Sequence, residues 1–454
     1  MVSRRLFLSS VGFAALGAAL PARAGGLVVN TTMRGSLDAV EQGLRPDATD
    51  DQSKAFNRII AKAAMGNVPV FLPPGNYVVS NITLPENAHI TGVPGASRLV
   101  YTGQGHLFFG ENMRSLTLSN ITIDGGNRWL ADYAGGLVHL RNIAQVVLEN
   151  CEIAGASKHA VHLEYCGGRI DRNRISGAAL AGIYAVESKE LSIADNSVSD
   201  CANGGILVHR WQKAADGTMI SGNRISKIAS KAGGTGENGN GIGLFRADNV
   251  MITGNAVSDC ALSAIRANAA SNVQIANNHC LRSGETAIFS EFGFEGALVT
   301  GNLIDGAANG ILIVNFDSGG RLATVSSNIV RNMRLDGPYP AEGAGFGLGI
   351  AAEADVVISG NTIENAPKWG MMLGWGPYMR NIVATGNLVR QSPVGCAVTV
   401  VEGSGAALIA DNLFQDVRDG AVVGYRWTEK STGDLALDGA DEVANLTVSR
   451  NRVG

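Results

Sequence analysis

The sequence predicts an all-β fold, a single parallel β-helix of about a dozen coils with an asparagine ladder and a short N-terminal capping helix. Three observations carry this. The hexapeptide apolar-x-x-Asn-x-apolar recurs as Ile170-Asp171-Arg172-Asn173-Arg174-Ile175 and Ile193-Ala194-Asp195-Asn196-Ser197-Val198, and the same slot later holds Asn223, Asn255, Asn278, Asn302, Asn328, Asn361, Asn387, Asn412 and Asn451. The shortest spacing between slots is about 22 to 24 residues, the length of one solenoid coil. Each repeat alternates apolar and polar residues over short spans and turns at Asn or Gly, with no helical period, and the 59 Gly and 6% aromatic content suit many strands and tight turns. The rival solenoid, a leucine-rich repeat, needs an L-x-x-L-x-L signature and a helical half, and both are missing.

In chain order, residues 1–24 form an export signal. Ser3-Arg4-Arg5-Leu6-Phe7-Leu8 precedes an apolar run from Val11 to Leu20, and Ala22-Arg23-Ala24 supplies a small-x-small cleavage site that leaves a mature chain beginning near Gly25. The arginine pair resembles a twin-arginine signal, so the export machinery of that route is an expected partner; a Sec signal holding two arginines is the alternative. Residues 25–110 hold the cap and first coils. Thr49 and Gln52 have capping-box spacing, and Phe56, Ile59, Ile60 and Ala63 form an apolar stripe, which predicts a short helix over 51–65 covering the open end of the stack. Residues 111–454 are the repeat domain, opened by two degenerate copies in which Ile121 and Cys151 occupy the slot and Asn120 and Asn150 stand one residue early. Asn is expected in the slot because it tolerates left-handed backbone and its amide can bond amides above and below.

The six cysteines show no C-x-x-C pair and no zinc-finger spacing, and Cys201 and Cys260 fall at matching places as small apolar fillers, so free buried thiols and no metal site are expected. A net charge of -4 gives no electrostatic basis for nucleic-acid binding, and only the export segment holds a sustained apolar run, so nothing spans a membrane once the signal is removed. No cofactor is expected.

Asp47-Ala48-Thr49-Asp50-Asp51 through Ala55-Phe56, followed by Val70-Phe71-Leu72-Pro73-Pro74-Gly75-Asn76-Tyr77, resembles the entry region of the pectate-lyase-like superfamily of right-handed β-helices. With the signal and the Asn repeats, the whole chain resembles the twin-arginine-translocated repeat proteins of bacteria, whose biochemical function is not established. The resemblance implies a right-handed parallel β-helix and a periplasmic or secreted location, and it transfers no catalytic residue.

A second short strand begins nine residues after most slots, so the coils stack outward-facing columns. One column reads His139, His162, Tyr184, Leu207, Gly243, Arg266, Phe289, Leu312; the next reads Arg141, Glu164, Val186, His209, Phe245, Asn268, Glu291, with Arg210 and Arg246 just beyond. Insertions at 126–135, 231–240 and 335–346 leave from one turn and should wall the strip, bringing Trp129, Tyr133 and Tyr339 as stacking surfaces for sugar rings. Glu164 and Glu291 lie five coils apart, roughly 24 Å, too far for a glycosidase pair, and no other acidic pair is expected on the strip. His162, Tyr184 and His209 instead suit proton abstraction beside a carboxylate, with His139, Arg210, Arg246, Arg266, Glu291 and Trp129 binding substrate. An excess of arginine over glutamate makes an acidic polysaccharide the expected ligand and a lyase or epimerase the expected enzyme. A non-catalytic saccharide-binding or envelope-structural protein, or a merely solvated polar face, is the alternative.

Overall fold

The computed structural model describes residues 35–441 and 443–454, so the signal at 1–24 lies outside the described residues. Three strands per coil wind a right-handed parallel β-helix. One face is a ladder of 15 strands running from Gly75–Val79 to Arg452–Val453, and the other two faces merge into a sheet of 29 strands. Among the described residues, every pairing between strands is parallel except the hairpin between Gly420–Arg426 and Glu429–Asp434, and one isolated antiparallel bridge joins Trp375 and Tyr378. The 15 strands exceed the dozen coils expected, because coils ahead of residue 121 stack without an asparagine slot. The ladders run unbroken across residue 110, where Phe108–Ser119 pairs with Gly136–Glu149. Among the described residues, no helix is long and apolar enough to cross a membrane.

Register explains the core. Ile153, Ile175, Val198, Ile225, Val257, Cys280, Ile304 and Val330 pair in succession and are all buried, so a period-2 pattern in each coil becomes a continuous apolar column. The six cysteines are free and buried.

The asparagine slots form an unbroken interior ladder. Asn173 donates from its backbone N and its Nδ2 to Oδ1 of Asn196, at 2.9 and 3.0 Å, and Nδ2 also reaches the Leu148 carbonyl at 2.8 Å. The same linkage repeats to Asn451, and the Cys151 amide opens the series by donating to Asn173. The left-handed backbone expected at the slot sits one residue earlier, at Arg172, Asp195, Gly222, Gly254 and Asn277, with φ between 56° and 66°. The bond to the next coil needs the slot residue itself in strand geometry, and the turn is made just before it. Asn120 and Asn150, at φ 59° and 52°, are therefore turn residues, and Asn150 donates to Asn120 in an outer ladder of their own.

The capping helix spans Ser53–Met65 and buries Phe56, Ile59, Ile60 and Ala63. The capping box between Thr49 and Gln52 does not form. Gln52 instead closes on Arg45, accepting from its amide at 2.7 Å and donating to its carbonyl at 3.0 Å, while Asp51 receives the Ser53 amide at 2.8 Å.

Candidate functional site

Strand pairing sets the outward columns directly. His139, His162, Tyr184, Leu207, Gly243, Arg266, Phe289 and Leu312 are successive partners, and so are Arg141, Glu164, Val186, His209, Phe245, Asn268 and Glu291. Parallel strands stack about 4.8 Å apart, which brings rings on adjacent coils into contact. His139 and His162 stack with centroids 4.6 Å apart, His162 meets Tyr184 edge-on at 5.2 Å, Tyr184 meets His209 at 5.3 Å, and His209 meets Phe245 at 5.8 Å. His159, from the start of its strand, stacks on Tyr184 at 4.6 Å and meets His162 edge-on at 5.5 Å.

Loops cover this ring column along one flank. Lys158 holds the first by donating to the carbonyl of Ala131 at 2.8 Å, and the Tyr133 hydroxyl meets Nδ1 of His106 at 2.9 Å. Trp129 projects from that loop, 61% exposed, and makes no ring contact with the column among the described residues. The second loop brings Thr235 and Gly236 over a cavity of about 400 Å³ whose other walls include Leu207, His209, Phe245, Arg266 and Asn268. The third places Tyr339 so that its hydroxyl donates to Glu285.

The charges are arranged differently from the expected positive strip. Arg210 is buried, bonding Glu187 at 3.0 Å and the Ser188 carbonyl at 3.1 Å with Asp216 at 3.6 Å, so it serves a turn rather than the strip. Arg266 stays on the strip but is held by Glu291 at 2.6 Å and Glu285 at 3.0 Å, with Asn268 donating to Glu291 at 2.8 Å. Arg141 faces Glu164 at 3.5 Å. Arg246 lies over the Phe245 ring at 4.7 Å and donates to the Trp211 carbonyl at 2.6 Å, and no carboxylate pairs with it among the described residues. Most of the expected positive excess is thus neutralised within the protein. Glu285 was not anticipated, and with Glu291 it forms an acidic pair on one guanidinium, contrary to the expectation that the strip holds none. Alternation carried back from Phe289 through Ala287 reaches Glu285 and is the signal that points to it.

Burial sets the protonation states. It pushes His209 and His139 down to about 4 and His159 down to about 3, with neighbouring imidazoles adding to the effect at His139 and His159. His162 is also lowered by burial, and Tyr184 is raised by burial and by the charge of Glu164. The column is therefore neutral near pH 7. Glu285 is raised by burial against the pull of Arg266.

One cluster has metal-ligand character. His139, His162 and Glu164 each offer a donor atom, and these atoms lie within 4.8 Å of one another. No ligand spacing in the sequence reveals them, because the donors come from adjacent coils and two columns.

A family profile described as "Right handed beta helix region" matches residues 212–425, and one described as "Periplasmic copper-binding protein (NosD)" matches residues 89–291. No curated protein matches the chain. Among solved structures, pre-mature gene product 12 of bacteriophage phi29 superposes with a TM-score of 0.54 at 14% identity over 85% of this chain and 69% of that one. The A-module of mannuronan C-5 epimerase AlgE6 from Azotobacter vinelandii gives 0.48 at 15% identity, over 92% of this chain and 99% of that one. PfbA, a surface adhesin of Streptococcus pneumoniae, gives 0.46 at 14% identity, over 87% and 94%. At these identities the likeness is one of fold.

Proposed function

We propose that this chain is a periplasmic member of the twin-arginine-translocated repeat proteins, exported through Arg4 and Arg5, that binds an acidic polysaccharide along the ring column and processes it by proton abstraction. The observation that carries the reading is the cavity of about 400 Å³ in which His209 and Phe245 face the second loop, with Tyr184 one contact behind and Arg246, which pairs with no carboxylate among the described residues, beside the Phe245 ring. A neutral His209 can accept the proton on the carbon next to a uronate carboxylate, while Arg246 offsets the charge that develops there. The electron pair left behind forms a double bond as the glycosidic carbon–oxygen bond breaks, and the departing oxygen takes its proton from water, since Tyr184 meets the His209 ring from outside the cavity lining. Return of a proton to the opposite face without bond cleavage would be epimerisation. His162 stands behind Tyr184 and does not line the cavity.

The periplasmic location agrees with the description of the profile matched over 89–291, and the copper named there is compatible with the donors at His139, His162 and Glu164. Pairing of Arg141, Arg210 and Arg266 with carboxylates favours a second reading, in which the column holds a glycan without reacting.

A panel of uronate polymers, assayed for binding and for absorbance of unsaturated uronates, tests both. Wild type should bind at least one polymer; His209→Ala should lower turnover about 100-fold to 10,000-fold with binding largely kept. Arg246→Ala should weaken binding, most at low salt. Binding without turnover selects the second reading, and no binding across the panel removes both.

A further inference from the structure

We propose that His139, His162 and Glu164 form a binding site for a divalent transition-metal ion of the copper and zinc class, on the strip but apart from the cavity at His209. Strand geometry makes the cluster. His162 and Glu164 are two residues apart and so project from the same face of one strand, and the pairing of His162 with His139 adds the third donor from the neighbouring coil. The donor atoms lie within 4.8 Å of one another. A shared ion at about 2.0 to 2.2 Å from each needs donors about 3 to 4 Å apart, which small side-chain rotations supply.

Two features set the cluster apart from a chance meeting of polar groups. Nε2 of His139 is buried and has no hydrogen-bond partner, an arrangement that is costly unless something satisfies it. The loop above is also shaped around the second ring: a Cβ on Gly135 would stand 1.7 Å from Nδ1 of His162, so only glycine allows the loop to close there.

The donor set selects the ion. Two imidazoles and a single carboxylate suit copper(II) or zinc, whereas calcium and magnesium require more oxygen ligands than the cluster offers. Arg141, 3.5 Å from Glu164, opposes a cation and must swing aside, which its half-exposed position permits. The Gly135 amide contacts Nδ1 of His139 at 3.3 Å, so coordination through Nε2 moves the ring proton to Nδ1 and loosens that contact. Three protein donors leave one coordination position open.

The experiment is titration of the chelator-treated full chain with CuCl2 and with ZnCl2 by calorimetry, with electron paramagnetic resonance of the copper form. One equivalent should bind, and the copper spectrum should show coupling to two nitrogens. His139→Gln, His162→Gln and Glu164→Gln should each weaken binding at least about 10-fold, while His279→Gln, on a different face, should leave it unchanged. Circular dichroism of the apo variants checks folding; if a histidine variant fails to fold, the half-buried Glu164 variant decides. Absence of stoichiometric binding, a spectrum without nitrogen coupling, or unchanged affinity in Glu164→Gln would overturn the proposal.

Discussion

His209 has its ring between Tyr184 and Phe245, and burial holds its pKa down to about 4. In the unfolded chain the same group titrates near 6.5. Between those values the unfolded chain binds more protons, so the contribution of His209 to stability is fully present above about pH 6.5 and is lost as pH falls toward 4. Glu353 has the opposite sign. Burial raises its carboxyl to about 7, so its contribution is present below the ordinary carboxylate range and is lost as pH rises toward 7. A wild-type stability curve mixes these two with the other buried histidines, His139 and His159, and the informative quantity is the difference from His209→Phe, which removes the titration of His209. Between pH 7 and pH 4 that variant should lose less stability than wild type, by on the order of 2 to 3 kcal/mol. Urea melts at several pH values measure it, and parallel curves for the two proteins would show that His209 is not desolvated as the fold implies.

The asparagine ladder is the element that turns a sequence repeat into a structure. Oδ1 of Asn255 accepts from the backbone and side chain of Asn223, both at 2.9 Å, and its Nδ2 donates to the Ile220 carbonyl and to Asn278, both at 3.0 Å. Asn255→Ala strands these partners in a dry interior and should lower stability by about 2 to 4 kcal/mol. Asn451→Ala, at the half-buried last rung, should cost clearly less. Equal and small shifts of the denaturation midpoint in both variants would mean that the ladder contributes little. The ladder was legible in the sequence because each rung recurs once per coil, and the two outward columns followed from the same register and a period of two. What could not be read is what lies off those columns. Arg210 looked free because its partners Glu187 and Asp216 sit in turns, and Arg266 looked free because Glu285 precedes the strand that carries Phe289. The metal-capable cluster escaped for the same reason, since its donors become neighbours only after stacking. The turn residue was misplaced by one position because Asn fits both the slot and the left-handed site before it.

At the scale of the whole molecule, each coil touches only its neighbours, so stability is a sum of coil-to-coil interfaces and is weakest at an uncovered end. The helix Ser53–Met65 covers the first coils with Phe56, Ile59 and Ile60, all buried. Phe56→Ala deletes a fully buried ring and should cost about 3 to 5 kcal/mol at that end, with the helix loosened from the strands beneath it. Because the interfaces are pairwise, the damage should stay local. Hydrogen exchange should lose protection in the first coils, over about residues 35 to 125, while amides of the central ladder near Asn255 and Asn278 keep theirs. The uncovered edge presents unpaired strand groups and apolar side chains, so the variant should also associate end to end, seen by light scattering as a mass that grows with concentration. Protection lost evenly along the solenoid would show that the coils unfold as one cooperative unit, and full protection in a monomeric variant would show that the helix is not the cap.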